Sequence, residues 1–154
     1  MTGTRTILAL HGLHCTTQRA ALYDALAATA SHPTAEELYR TVRDHVGSLS
    51  LATVYAALET FCRVGLARRV PTLAGSSRYD ATTSEHVHVQ YVGTGRIEDV
   101  PPDLGARLLA SVPAEVLDEI EGRLGVRIEG VDVQLRVASR RRTRTPKAGV
   151  AFDR

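Results

Sequence analysis

The spacing of apolar residues changes at Gly65, and this change limits the folds that the chain can adopt. Before Gly65, apolar residues recur every three or four positions, as they do along one face of a helix. After it, they alternate with polar residues, as they do along a strand. Three helices followed by a two-stranded basic hairpin are the order of a winged helix-turn-helix, in which the third helix enters the DNA major groove. The sequence therefore predicts such a domain in its N-terminal half.

Capping signals and glycines give the bounds of the elements in this half. A threonine followed by glutamate three residues later predicts a capping box, and a serine before an apolar run predicts an N-cap. The expected elements are a helix at 17–28, a second from Thr34, a third from Ser50 to Gly65, and strands at 66–70 and 78–80.

The residues after the hairpin predict a small sheet with one helix. Strands are expected at 85–92, 96–100 and 126–137, and a helix at 113–124. This half is acidic whereas the first is mildly basic, which favours two units with different partners. We predict an α+β protein with a winged-helix DNA-binding domain at 1–80, a small α/β dimerisation domain at 81–139, and a basic, mobile tail at 140–154.

Composition argues against several classes of protein. Apolar residues make up 44% and charged residues 23% of the chain, as in soluble globular proteins. No apolar run approaches the roughly 18 residues of a membrane span, and the N-terminus lacks a signal-peptide core, so we expect a cytoplasmic protein without a membrane partner. Two cysteines, Cys15 and Cys62, are too few for a disulfide framework or a four-cysteine zinc site, and we assign them no function.

A pair of histidines, His86 and His88, is separated by one residue in the predicted strand 85–92. Alternation places both on one face, roughly 7 Å apart along the backbone, where two imidazoles can close around one ion. An exposed polar face would give the same spacing. The pair by itself leaves both interpretations open.

Six short blocks of sequence are spread along nearly the whole chain. They are Thr17-Gln18-Arg19, His32-Pro33-Thr34-Ala35-Glu36-Glu37-Leu38-Tyr39, Ser50-Leu51-Ala52-Thr53-Val54-Tyr55, Gly65-Leu66, Arg78-Tyr79-Asp80 and His86-x-His88. In this order and spacing the blocks resemble the ferric uptake regulator family. The resemblance implies a metal-responsive bacterial repressor that binds operator DNA as a homodimer, without enzymatic activity and without a small-molecule substrate.

The resemblance also implies a regulatory metal site between the two domains. One divalent ion per subunit is expected, with Fe²⁺ or Mn²⁺ favoured over Zn²⁺ because the donors are nitrogen and oxygen without thiolate. The last ligand is open, because a turn of 93–95 puts Glu98 on the histidine face, whereas a four-residue connection puts Asp99 there. Following the family spacing, the implied ligands are His32, Asp80, His86, His88 and Asp99.

Two departures from the family pattern affect the expected cofactors and DNA contacts. Tyr91 and Thr94 stand where most members have a CxxC, so we expect no structural zinc site. Alanines follow Tyr55 where an arginine is common, so fewer contacts to bases are expected. The residues expected to contact DNA bases or phosphates are Arg19, Ser50, Thr53, Tyr55, Arg68 and Arg69.

Other functions remain open from the sequence alone. The nearer alternative is a family member that has lost metal control and responds to haem or an oxidant, because the cysteines are missing. A metal-dependent hydrolase is the more distant one, since no further acid–base pair is spaced around the five donors. The ligand set also resembles that of the peroxide-sensing branch, in which bound iron promotes oxidation of a ligand histidine and releases the DNA. The signal therefore stays open among a metal, peroxide and, for the nearer alternative, haem or another oxidant.

Overall fold

Six helices and five strands make up residues 3–72 and 75–138, the part of the chain that the computed structural model describes. No helix in these residues is long and apolar enough to cross a membrane. The basic tail predicted at 140–154 lies outside the described residues. In chain order the elements are α1 (Thr4–Leu10), α2 (Thr17–Ala27), α3 (Ala35–Val42), α4 (Leu51–Arg63), β1 (Arg68–Val70), β2 (Arg78–Asp80), β3 (His88–Tyr91), β4 (Ile97–Asp99), α5 (Pro102–Leu109), α6 (Ala114–Leu124) and β5 (Gln134–Val137).

The helices α2, α3 and α4 are the three that the sequence predicted, and each begins at a capping side chain. The hydroxyls of Thr16, Thr34 and Ser50 each accept a hydrogen bond from the backbone N–H three residues later. At α3 the Glu37 carboxylate also accepts from the Thr34 N–H, which completes a capping box. The antiparallel hairpin β1–β2 follows α4, so the winged helix-turn-helix order is confirmed.

One apolar core holds the three predicted helices and the hairpin together. Val54, Leu58 and Phe61 are fully buried and lie three or four residues apart on one face of α4. They pack in the same cluster as buried leucines of α2 and α3, and Tyr79 brings β2 into it. Each fully buried aliphatic or aromatic side chain stabilises the fold by roughly 1.5–3 kcal/mol relative to exposure. This packing fixes the hairpin relative to the third predicted helix.

Two helices, α1 and α5, were not predicted. Leu8 is the single buried residue of α1, so the sequence carries no periodic apolar face there. The Pro101-Pro102 pair directly follows the predicted strand 96–100, where prolines favour the end of a strand. Proline is tolerated in the first turn of a helix, because the N–H that it lacks would have no intrahelical partner. Pro102 therefore opens α5 directly after the strand that it ends.

The second half contains a three-stranded sheet in the order β4-β3-β5. β4 pairs antiparallel with β3, and β5 pairs parallel with it. The predicted strands 85–92 and 126–137 were too long: β3 begins at His88, so His86 precedes the strand, and β5 begins at Gln134. A parallel strand needs a partner along its length, and β3 offers only four residues. Upstream of β5 the pairing therefore ends at Val133, whose carbonyl accepts from the His88 N–H over 3.2 Å.

The helix α6 carries an apolar face that residues 3–72 and 75–138 do not cover. None of its residues is buried, and Val116, Ile120 and Leu124 are exposed at intervals of four residues. Leu135 of β5 is exposed as well. Four exposed aliphatic side chains on neighbouring C-terminal elements are the feature expected of a surface that meets another protein.

Candidate metal centre

Five side chains that are far apart in sequence meet where the winged-helix half adjoins the sheet half. They are His32 before α3, Asp80 at the end of β2, His86 in the connection before β3, His88 at the start of β3, and Asp99 at the end of β4. The first four each offer a ligand atom within 4.8 Å of those of the other three. All five residues that the sequence singled out as ligands therefore lie in one place, three of them buried.

The register of the sheet places Asp99, rather than Glu98, beside the histidines. Residues 92–96 connect β3 to β4. The Tyr91 N–H donates to the Arg96 carbonyl over 2.9 Å, so the turn itself is the four residues 92–95, and His88 lies opposite Asp99. The Asp99 Oδ1 atom is 3.0 Å from His32 Nε2, 3.2 Å from His86 Nε2 and 3.5 Å from His88 Nε2. Glu98 points elsewhere and accepts a hydrogen bond of 2.8 Å from the Tyr91 hydroxyl. Of the two open alternatives, the geometry thus favours Asp99.

Neighbouring backbone groups decide which atoms His86 and Asp80 present to the centre. The His86 Nδ1 atom is 2.8 Å from the Ser84 carbonyl, to which it can only donate, so the Nε2 lone pair remains free. The Thr82 backbone N–H donates to Asp80 Oδ1 over 2.8 Å and leaves Oδ2 facing the histidines. The loop between β2 and β3 therefore orients two of the candidate ligands. Neither contact could be expected from the sequence alone.

His32 is held in a left-handed backbone conformation, with a φ of 49°. That conformation is costly for a residue with a side chain and persists only where its surroundings fix it. Arg78 donates from Nη1 to the His32 carbonyl over 2.8 Å and to Glu37 Oε2 over 2.9 Å, and the Tyr79 N–H donates to the Pro33 carbonyl. The hairpin thus holds His32 in place through the capping box of α3, a role for Arg78 that the sequence analysis missed.

Several buried polar atoms of the centre lack a hydrogen-bond partner. His32 Nε2, His88 Nε2 and Asp80 Oδ2 are buried and make no hydrogen bond within the described ranges 3–72 and 75–138. Buried polar atoms are rarely left this way in native proteins, so several converging on one point indicate a missing ligand. Nitrogen and carboxylate donors of this kind fit Mn²⁺, Fe²⁺ or Zn²⁺. The residues present therefore fit a divalent ion.

The electrostatics of Asp80 favour the ionised form that a metal ligand requires. Burial raises the pKa of its carboxyl group. The facing imidazoles of His32 and His88, together with the Thr82 N–H, lower that pKa by more. The net result is a pKa well below the usual range of an aspartate, so Asp80 is a carboxylate at neutral pH.

Arg68, which was predicted to contact DNA, points into this centre. Its Nη2 atom is 3.1 Å from His86 Nε2, its Nε atom is 3.5 Å from Asp80 Oδ2, and its side chain is 21% exposed. The neighbouring Arg69 is exposed on the opposite side of β1. The geometry therefore favours Arg69 over Arg68 as a contact to a phosphate.

The other residues predicted to contact DNA lie on or beside α2 and α4. Tyr55 is 42% exposed, and its hydroxyl donates to Glu36 Oε1 over 2.6 Å, which raises the pKa of the tyrosine. The Ser50 hydroxyl caps α4 by accepting from the Thr53 N–H, and the two side-chain oxygens are 2.8 Å apart. Arg19 lies in the first turns of α2 and donates to the His14 carbonyl. These side chains stay predicted contacts, with Ser50 having a structural role as well.

Comparisons with known proteins point to one group of regulators. The peroxide-responsive repressor PerR of Staphylococcus saprophyticus is 36% identical over 94 residues, which are 61% of this chain and 64% of that protein. The peroxide operon regulator of Bacillus subtilis is 35% identical over 88 residues, 57% of this chain and 61% of that protein. The chain therefore spans less than two thirds of the length of these curated relatives.

Similarity of fold extends over more of the chain than similarity of sequence. The crystal structure of the Campylobacter jejuni peroxide stress regulator matches with a TM-score of 0.64 and 27% identity, over 90% of this chain and 94% of that one. The sequence profile of the ferric uptake regulator family matches residues 10–115, a span that contains all five candidate ligands. Because this match covers more than half of the sequence, the chain belongs to the ferric uptake regulator family.

Proposed function

We propose that this protein is a transcriptional repressor that binds operator DNA as a homodimer when a divalent ion occupies the centre formed by His32, Asp80, His86, His88 and Asp99. The observation that carries the proposal is the convergence of buried, unpaired donor atoms from both halves of the chain. The match to a family of regulators supports a regulator rather than an enzyme.

The position of the centre supports a switch between two arrangements of the halves. His32 and Asp80 belong to the winged-helix half, whereas His86, His88 and Asp99 belong to the sheet half. An ion that needs ligands from both binds better when the two halves are close, so its binding shifts the population toward that arrangement. The angle between the two winged helices of a dimer would then depend on metal occupancy.

The donor set supports Fe²⁺ or Mn²⁺, with Zn²⁺ as a third candidate. Three imidazole nitrogens and two carboxylates provide up to five ligands, more than the four that zinc takes in most protein sites. Two carboxylates also match the charge of one divalent ion. We propose one such ion per subunit and no four-cysteine structural zinc, because the chain has only Cys15 and Cys62.

The proposed dimer uses the uncovered apolar face of α6 together with β5. Val116, Ile120, Leu124 and Leu135 are all exposed in the single chain. A second copy of the chain would present the same side chains, so one patch can cover the other. Two winged helices in one dimer would place two α4 helices on an inverted-repeat operator.

A mobility-shift assay with an inverted-repeat operator tests the regulator and its metal dependence together. We expect binding with Mn²⁺ and loss of binding when a chelator is added. A His86→Ala/His88→Ala variant should bind poorly even with Mn²⁺, whereas His45→Ala, which removes an exposed histidine in the turn after α3, should behave as wild type. Equal affinity with and without the chelator would contradict the metal switch and would favour the alternative of lost metal control.

The similarity to two peroxide-responsive regulators supports peroxide as the signal. Mass spectrometry can test this proposal on protein loaded with Fe²⁺ and exposed to hydrogen peroxide. We expect one added oxygen atom on His32 or His86 and release of the DNA. Unmodified histidines with DNA binding preserved would reject peroxide as the signal and leave a plain metal sensor.

A further inference from the structure

Arg68 reaches from the hairpin into the centre and contacts two of the candidate ligands. Its guanidinium Nη2 lies 2.9 Å from Nδ1 and 3.1 Å from Nε2 of His86. Its Nε lies 3.5 Å from Asp80 Oδ2 and has no hydrogen-bond partner among the described residues. A permanently charged side chain thus lies against the donor atoms to which a metal ion would bind.

An ion bound to His86 and Asp80 would have to displace the Arg68 guanidinium from its place beside them. The His86 Nδ1 atom is engaged by the Ser84 carbonyl, so Nε2 carries the one free lone pair of the ring. The guanidinium Nη2 is almost equally far from both ring nitrogens, so Arg68 lies against the His86 ring and places its charge beside this lone pair. From this geometry we propose that Arg68 competes with the divalent ion for His86 and Asp80, and that this competition sets the metal concentration at which the regulator responds. The inference rests on the proposed function.

The charges of the centre point the same way. Asp80 and Asp99 together balance one divalent ion, and Arg68 adds a further positive charge within 4 Å of the Asp80 carboxylate. A unit charge held a few ångströms from a divalent ion weakens its binding by about tenfold or more, even at the dielectric constant of water. Arg68 therefore acts against the ion by its charge as well as by occupying the space beside the ligand atoms.

Another carboxylate is within reach of Arg68 when an ion takes its place. The Arg68 Nη1 atom is 3.6 Å from Asp132 Oδ1, and the Asp132 side chain is 80% exposed. Asp132 lies just before β5, close to the contact in which Gln134 donates to the Pro71 carbonyl over 2.9 Å. Arg68 can thus leave His86 while remaining paired, which keeps the cost of displacement small.

Calorimetric titration of the full chain with Mn²⁺ tests the competition. Arg68→Gln removes the charge and should lower the dissociation constant by about tenfold. Arg68→Lys keeps the charge and should stay within about threefold of wild type, because charge supplies most of the effect. Arg69→Gln makes the same change in charge on the neighbouring residue of β1, which is exposed on the opposite side of the strand, and should leave the dissociation constant unchanged.

Thermal unfolding provides a measurement that does not depend on calorimetry. In a chelator, Arg68→Gln should melt at a lower temperature than wild type, because Asp80 loses its cationic neighbour. The rise in melting temperature on adding Mn²⁺ should be larger in this variant than in wild type. If Arg68→Gln fails to fold, Asp132→Asn provides the reverse test, since it removes the other partner of Arg68 and should weaken Mn²⁺ binding.

The outcomes separate this inference from the proposed function. Mn²⁺ binding by wild type with an equal or higher dissociation constant in Arg68→Gln would overturn the competition and leave the metal switch intact. Absence of Mn²⁺ binding in both proteins would overturn the two together. Mn²⁺ binding by Arg68→Gln, with no binding by wild type, would support a competition in which Arg68 keeps the ion out entirely. In the Arg68→Gln background, Asp132→Asn should no longer weaken Mn²⁺ binding. If the double variant bound Mn²⁺ more weakly than Arg68→Gln alone, Asp132 would act by another route, and the exchange of partners would be contradicted.

Discussion

At the scale of single residues, the candidate ligands depend on neighbours that fix the atom each presents. Ser84 selects the free nitrogen of His86, Thr82 turns one oxygen of Asp80 toward the centre, and Arg78 holds the backbone of His32. Such supporting contacts are commonly worth a factor of ten or more in metal affinity. The ligand set is therefore held before any ion arrives, which reduces the cost of ordering it.

The choice between Asp99 and Glu98 gives a prediction with a matched control. Asp99→Asn should weaken Mn²⁺ binding by at least about tenfold, because it removes a carboxylate charge that lies within 3.5 Å of three imidazole nitrogens. Glu98→Gln makes the same chemical change one residue earlier, on a side chain bound to Tyr91. It should change the affinity by less than about threefold. Equal losses in the two variants, measured by calorimetry, would contradict the register-based assignment.

This choice could not be made from sequence because it depends on one residue of connection length. A three-residue turn at 93–95 and the observed four-residue connection differ only in whether Val92 continues the strand. A shift of one residue in a strand moves every side chain to the opposite face. By contrast, the sequence did select the three histidines and Asp80, since their blocks can be recognised without knowing the register.

At the scale of elements, the sequence predicted those whose signal is local. Thr34 and Ser50 cap the starts of α3 and α4 as expected. An N-cap can be predicted because its hydrogen bond joins residues only three positions apart in sequence. The length of β5 was overestimated, since a strand ends where its partner ends and β3 is short. His86 illustrates the same point: it was expected in the strand beside His88, yet it reaches the centre from the preceding loop.

Ser50 combines a structural role with a predicted DNA contact, and two substitutions separate the roles. Ser50→Ala should lower the free energy of unfolding by about 1 kcal/mol, because it removes the N-cap of α4. Ser50→Asp preserves a capping oxygen and should retain near wild-type stability in urea denaturation. Its new carboxylate would face the phosphates of bound DNA, so operator affinity in mobility shifts should fall more than in Ser50→Ala.

Thr60→Ala in the same helix is the control for both measurements. The Thr60 hydroxyl donates to the Ala56 carbonyl within α4 and caps nothing, so stability should change by less than about 0.5 kcal/mol. If Ser50→Asp lost as much stability as Ser50→Ala, the capping role would be wrong. If Ser50→Asp bound the operator as tightly as wild type, Ser50 would not lie near a phosphate.

At the scale of the whole molecule, the chain joins a packed half to a half that is incomplete by itself. The helices α2 to α4 bury a continuous apolar core. The helix α6 buries none of its residues, although it has the apolar spacing of a core helix. The sequence indicated an apolar face on α6, but it could not show whether that face is covered by its own chain. In the structure no described residue covers this face, so a second copy of the chain could pack against it.

The proposed dimer can be tested on α6 with two variants that introduce the same charge on opposite faces. Ile120→Glu places a carboxylate in the apolar face, where burial without a partner costs several kcal/mol, so the dimer should dissociate at least about a hundredfold more readily. Gly122→Glu places it on the far side of the helix, where a new Cβ meets nothing within 4 Å. Sedimentation velocity should then show monomers for Ile120→Glu and dimers for both Gly122→Glu and wild type. If both variants were dimers at micromolar concentration, the interface would not include this face of α6. If Ile120→Glu were monomeric and still bound the operator as tightly as wild type, DNA binding would not require a dimer.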